Sequence, residues 1–208
     1  DADRLIVVDE KGRIVDGDKT ICICAKMLKD MGQLAGDLVT ATVMSNMGFH
    51  RFVEDMGASV EITNVGDRYV LESMLQTGCV IGGEQSGHII FRNYSTTGDG
   101  TLSSLQFIKA MVHSGKTASE LSDEVVLYPQ VLVNAKVSKE GKIAYKSDEE
   151  IIASISLIED ELGGEGRVLI RPSGTESLVR VMIEGKDKEH ISELANDLAE
   201  LIRKKYGK

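Results

Sequence analysis

The segment Ile170-Arg-Pro-Ser-Gly-Thr-Glu-Ser-Leu-Val-Arg180 sets two guanidiniums, the hydroxyls of Ser173 and Thr175 and a glycine between two apolar runs. Those groups suit a phosphate. Arg171 and Arg180 can bind one bidentately, the hydroxyls can donate, and backbone N–H groups around Gly174 can form an anion-binding nest. The same residue types also suit a hairpin whose arginines pair with surface glutamates, and composition alone leaves both readings open.

A second segment, Gly82-Gly-Glu-Gln-Ser-Gly-His-Ile89, interrupts two apolar runs and places its polar side chains at a tight turn between strands. Glu84 and Ser86 are two apart and can point the same way, toward adjacent sugar hydroxyls, since a carboxylate accepts both hydroxyl protons. His88 is a candidate to donate or take a proton near neutral pH, although a histidine beside apolar residues also fits a structural role. At the N-terminus, Asp1-Ala2-Asp3-Arg4 precedes the apolar Leu5-Ile-Val-Val8. Alternate carboxylates at Asp1 and Asp3 offer the hard oxygens that Mg²⁺ takes, and equally suit a solvated chain end.

The chain that must position these groups has 208 residues, with 24 Lys plus Arg against 33 Asp plus Glu, a net charge of −9. That balance argues against a general nucleic-acid binder. With 42% hydrophobic and 27% charged residues the composition is globular. No uncharged run approaches the ~18 apolar residues of a membrane span, and the first residues carry no secretory signal pattern. The expectation is a reduced cytoplasmic protein. Cys22, Cys24 and Cys79 cannot all pair, and Cys22 and Cys24 are too close for a zinc pair. Ile21, Cys24, Ala25 and Leu28 recur at helical spacing, so Cys24 reads as a core residue.

Strand candidates at Leu38 to Met44, Ser59 to Val65 and Cys79 to Ile81 alternate with helix-length segments, which predicts a mainly parallel α/β sheet. Thr117-Ala-Ser-Glu120 has capping-box form and predicts a helix ending near Leu127. After Pro129 the pattern changes. Gln130 to Val137 alternates as a half-exposed strand; an acidic helix over Asp148 to Leu162, a break at Gly163-Gly164, strands at Arg167 to Arg171 and Leu178 to Glu184, and a striped final helix follow. The fold class is therefore α/β, a mixed and mainly parallel domain followed by a small α+β domain with an antiparallel sheet and two helices. A second domain is expected to begin at Pro129.

Taken in order, the three segments resemble the C-terminal half of the α-D-phosphohexomutase superfamily. Its metal loop has the form Asp-x-Asp-x-Asp-Arg, its sugar loop Gly-Glu-x-Ser-Gly-His and its phosphate loop Arg-Pro-Ser-Gly-Thr-Glu. Within it, Thr42-Val-Met-Ser-Asn-Met-Gly48, Val65-Gly-Asp-Arg-Tyr-Val70, Gln85 and Thr96-Thr-Gly-Asp-Gly100 resemble the bacterial phosphoglucosamine mutase family. The resemblance implies a cytoplasmic bacterial enzyme that interconverts glucosamine 6-phosphate and glucosamine 1-phosphate on the route to UDP-N-acetylglucosamine and peptidoglycan. A phosphoserine passes its phosphoryl group to the sugar, and the resulting 1,6-bisphosphate returns the other one, with Mg²⁺ steadying the transfer.

On that pattern Asp1 and Asp3 match metal carboxylates, Glu84 and Ser86 the hydroxyl-binding pair, and His88 a substrate-contacting and candidate catalytic residue. Arg171, Ser173, Gly174, Thr175 and Arg180 match the grip on the non-reacting phosphate. The resemblance implies the divisions 1–15, a remnant of a preceding domain, 16–128, a sugar-recognition domain, and 129–208, a phosphate-binding domain. The implied partners are a phosphosugar and upstream domains of the same enzyme, with neither nucleic acid nor membrane. The phosphoserine segment has no counterpart in these residues, so the expectation is a fragment inactive by itself. Ser177 replaces the proline usual in the phosphate loop, which implies a looser turn. The alternatives are a phosphomannomutase or phosphoglucomutase, and a non-catalytic phosphosugar-binding module.

Overall fold

Among the described residues, side-chain caps begin most of the helices, and the left-handed glycines Gly78, Gly115 and Gly163 end three of them. A computed structural model describes residues 2–207. They divide into two units, the first ending at Leu127 and the second beginning at Tyr128.

The first unit opens with a small antiparallel pair, β1 (Val7–Val8) and β2 (Ile14–Val15). Helix α1 (Gly17–Asp30) follows, its first turn capped by Asp16, which accepts from the Lys19 N–H. Next come β3 (Leu38–Thr42), α2 (Met47–Asp55), β4 (Ser59–Thr63), α3 (Asp67–Thr77), β5 (Ile81–Gly83), β6 (Ile89–Phe91), α4 (Gly100–Ser114) and α5 (Ala118–Glu124). The sheet runs β4-β3-β5-β6; β3 is parallel to both neighbours, and β6 closes one edge antiparallel to β5. The parallel α/β expectation therefore holds, with one antiparallel edge strand added.

Several details differ from the sequence reading, among them the strand expected at Cys79 to Ile81, which forms at Ile81–Gly83. The capping box at Thr117 and Glu120 forms as expected, but α5 stops at Glu124 because Val125 turns extended, with φ −98° and ψ 97°. The stripe Ile21, Cys24, Ala25, Leu28 is buried, yet so are Cys22, Ile23 and Met27. Helix α1 is covered on most sides because α2, α4, α5 and β5 all pack against it. All three cysteines are free and buried, and burial pushes the Cys24 thiol up to about 12, so it is an inert core group.

The second unit contains β7 (Gln130–Lys136), a single turn α6 (Gly141–Ala144), α7 (Glu149–Leu162), β8 (Gly166–Pro172), β9 (Leu178–Gly185) and α8 (Lys188–Tyr206). The order β7-β9-β8 is antiparallel throughout. Asp148 caps α7, and Gly163 ends it in the left-handed region at φ 57°. Val179, Val181 and Ile183 alternate along β9 into a core shared with Ile191, Ala195, Leu198 and Ile202 of α8. The period of two on the strand thus meets the helical stripe predicted for the last segment. Among the described residues no helix is long and apolar enough to cross a membrane.

Candidate functional site

The turn between β5 and β6 carries Glu84 to His88, and close backbone approaches fix its shape. The Gly87 N–H donates to the Glu84 carbonyl at 2.9 Å and the Glu84 N–H to the His88 carbonyl at 3.0 Å, closing the turn. Gly87 sits at φ +91°, and a Cβ there would lie 2.3 Å from the Leu5 carbonyl oxygen. Only glycine satisfies both requirements. On another side the Gly17 N–H, at the start of α1, donates to the Gln85 carbonyl at 3.0 Å. The turn is therefore wedged between the N-terminal segment and a helix end.

Within it the three predicted side chains have different surroundings. Glu84 is half-buried, and its Oε1 accepts from the Gly66 N–H at 3.1 Å, at the cap of α3. One carboxylate oxygen is thus anchored at the N-terminus of a helix. Ser86 is exposed. His88 is only 5% exposed, and its Nε2 accepts from the Gly98 N–H at 2.9 Å. An accepting Nε2 places the ring proton on Nδ1, which lies 3.6 Å from Oδ2 of Asp3. In this arrangement His88 holds the 96–99 loop. The proton-transfer role expected of it would have to run through Nδ1, since Nε2 is engaged by the Gly98 N–H.

Gly98 and Gly100 complete the setting. A Cβ at Gly98 would lie 2.3 Å from the His88 ring, and one at Gly100 would lie 2.3 Å from the Arg4 carbonyl oxygen. The Gly66 and Gly98 contacts escaped the motif reading because their partners are distant in sequence, although both glycines lie in segments singled out there. Of the carboxylate pair, Asp3 stands beside His88, while Asp1 lies outside the described residues. Among the described residues no group of three or more His, Cys, Asp or Glu could hold a metal ion. Magnesium requires near-octahedral oxygen ligation. The described residues do not furnish it.

The second unit carries the other group. Arg171 on β8 and Arg180 on β9 are register partners and so share one face of the sheet. The Nε atoms of both are buried without a hydrogen-bond partner. Burial, reinforced by the Arg180 charge, lowers the Arg171 pKa from its ordinary value. Glu176 gives Arg180 partial compensation at 3.7 Å. Between the strands, Ser173 is 4% exposed; its N–H donates to the Leu178 carbonyl at 2.9 Å, and its Oγ accepts from the Glu176 N–H at 3.2 Å. Gly174 and Thr175 are exposed. They line a shallow cleft of about 550 Å³ whose opposite wall is Lys139, Lys142 and Ile143. Positive charge, unpartnered donors and an open glycine turn equip this loop for an anion.

Residues 16–128 match the family model "Phosphoglucomutase/phosphomannomutase, alpha/beta/alpha domain III", and residues 132–201 match "Phosphoglucomutase/phosphomannomutase, C-terminal domain". The chain belongs to the phosphoglucomutase/phosphomannomutase family. Among curated relatives it is 57% identical over 207 residues to the phosphoglucosamine mutase of Thermoanaerobacter sp. (strain X514), covering 100% of this chain and 46% of the relative. The phosphoglucosamine mutase of Alkaliphilus oremlandii (strain OhILAs) is 55% identical over 207 residues, with the same coverage. The chain spans about half the length of the curated relatives it matches. Its fold is similar to that of Aspergillus fumigatus N-acetylphosphoglucosamine mutase, solved in complex with GlcNAc-6P and magnesium, at a TM-score of 0.76 and 23% identity over 96% of this chain and 50% of that one.

Proposed function

We propose that this chain is the sugar- and phosphate-recognising part of a phosphoglucosamine mutase that interconverts glucosamine 6-phosphate and glucosamine 1-phosphate. The observation that carries the reading is the opposed Arg171–Arg180 pair, whose buried Nε atoms have no partner. Such an arrangement is unfavourable by itself and favourable once a dianion lies across it. The identity to curated phosphoglucosamine mutases over the full chain supports the aminosugar assignment.

In this reading Arg171, Arg180 and the loop of Ser173, Gly174 and Thr175 hold the phosphate that does not react. Glu84 offers the sugar hydroxyls the carboxylate oxygen that Gly66 leaves open, Ser86 adds its exposed hydroxyl, and His88 fixes the surrounding loop within reach of the substrate. The phosphoryl donor belongs to upstream domains, where a phosphoserine loses its O–P bond as the sugar hydroxyl gains one. Magnesium serves that complete enzyme, with Asp1 and Asp3 as this chain's contribution, and the setting is the bacterial cytoplasm. The likeness to an N-acetylphosphoglucosamine mutase crystallised with a phosphosugar and magnesium supports the ligand classes.

Two measurements test it. The full-length protein should turn over glucosamine 6-phosphate in preference to glucose and mannose 6-phosphates; preference for either of the others makes it a phosphoglucomutase or phosphomannomutase. The 208-residue chain should show amide shifts at residues 171–180 when titrated with glucosamine 6-phosphate, and Arg180→Met should remove them. Shifts absent from that segment in the unsubstituted chain would refute the phosphate assignment.

A further inference from the structure

We infer that Lys142 is a positioning residue for the anion loop of the second unit, its ammonium gripping the Glu176 carbonyl and so setting the turn that presents Ser173, Gly174 and Thr175. The inference rests on the phosphate reading of that loop. Lys142 Nζ donates to the Glu176 carbonyl oxygen at 2.9 Å across a sequence separation of 34. Its other neighbours make this more than a chance contact of a surface lysine.

The base of the lysine is fixed. Ser138 Oγ accepts from the Gly141 N–H at 2.9 Å, while the Ser138 N–H donates to the Tyr206 carbonyl at 2.8 Å. Gly141 is buried, and a Cβ there would lie 2.8 Å from the Tyr206 Cβ. The turn α6 is thereby seated against the end of α8, and Lys142 projects from it toward the loop. A rotamer-rich side chain loses less freedom when its backbone is already held.

The loop, for its part, needs holding. Residues 174–177 are all exposed, and Ser177 offers no ring to restrict the backbone. Its ties are Ser173 to Leu178, Glu176 to Ser173 Oγ, the Val137 N–H to the Ser177 carbonyl at 3.1 Å and the exposed Glu176 carboxylate 3.7 Å from Arg180. Lys142 adds a charged donor on the side where Gly174 and Thr175 line the cleft. A cation bonded to a loop carbonyl orients the peptide units beside it and raises the local positive potential, and both effects favour an incoming anion.

The test uses the full 208-residue chain and inorganic phosphate, with binding read from the amide signals of Gly174 and Thr175. Lys142→Met is expected to weaken phosphate binding about three- to tenfold, the scale of one lost charge a few ångströms away in a solvated setting. Lys142→Arg should restore affinity to within about twofold, because a guanidinium can make the same donation. Lys146→Met removes an exposed lysine that does not line the cleft and should leave binding unchanged. Equal affinities for Lys142→Met and Lys146→Met overturn the inference while leaving the phosphate loop intact. So does failure of Lys142→Arg to restore binding. Absence of any phosphate response in the unsubstituted chain overturns the loop reading itself, and this inference with it.

Discussion

Arg171 and Arg180 face each other across the β8–β9 ladder, and neither buried Nε has a partner. Like charges directly opposite on paired strands are destabilising, and Glu176, 3.7 Å from Arg180, offsets only part of this. The site therefore carries a stability cost that an anion would relieve. Arg171→Met should raise the melting temperature of the ligand-free chain, by an amount equivalent to about 0.5 kcal/mol. It should also lose the extra stabilisation that inorganic phosphate gives the unsubstituted chain. Thermal melts with and without phosphate check both halves; a variant that melts lower without phosphate and keeps the phosphate effect would show that the pair is not an anion site.

Gly87 allows a second test, on the turn between β5 and β6. Both Gly87 and Gly12 have positive φ, +91° and +76°, but a Cβ at Gly12 meets nothing within 4 Å while one at Gly87 meets the Leu5 carbonyl oxygen at 2.3 Å. Gly12→Ala should cost about 1 kcal/mol of backbone strain. Gly87→Ala should cost more, about 2–4 kcal/mol, since the clash adds to the strain. Denaturant melts of the two variants compare them directly. Equal losses would mean that the turn does not press on the N-terminal segment.

His88 makes a third. If its main work is to accept the Gly98 N–H at 2.9 Å, then His88→Phe keeps a ring but orphans a buried donor. The expected loss is about 1–3 kcal/mol. Hydrogen exchange at the Gly98 amide should accelerate beyond the global effect. A variant with native stability and a protected Gly98 amide would show that accepting the Gly98 N–H is not the main work of His88.

What the sequence disclosed and withheld follows from the range of the interactions. The grouping of Arg171, Ser173, Gly174, Thr175 and Arg180, the loop proposed to hold phosphate, was legible because these residues are nearly contiguous and a single antiparallel hairpin brings them together. The strands at Leu38 and Ser59 and the α8 stripe were legible because period two and period 3.6 are local signals. Glu84 to Gly66, His88 to Gly98 and Lys142 to Glu176 were not, because each joins segments that only the tertiary fold makes neighbours. Likewise, the apolar spacing in α1 identified one buried face. It did not reveal the others, which depend on α2, α4 and α5 closing around the helix.

Acid sensitivity supplies the last test. Asp148 caps α7, accepting from the Glu150 and Ile151 N–H groups, and its carboxylate also meets Lys205 Nζ and the Tyr206 hydroxyl, each at 2.7 Å. Lys205, then Tyr206, hold its pKa down at about 2. A carboxyl whose folded pKa lies below its unfolded value of ~3.9 contributes stability that is complete above the unfolded value and fades as pH falls through the folded one. Asp148→Asn retains a capping side chain but not the ion pair. The stability gap between the unsubstituted chain and this variant should therefore be constant above about pH 5, shrink between about pH 4 and 2, and vanish below. Glu10, held down at about 2 by hydrogen bonds from Ser119 and Thr117, gives the first unit an acid-labile tie of its own, so Asp148→Asn should still lose stability in acid. Melting curves of both proteins across that range decide it: a gap that persists unchanged at pH 2 would mean that the Asp148 charge is not what fastens the end of α8 to the start of α7.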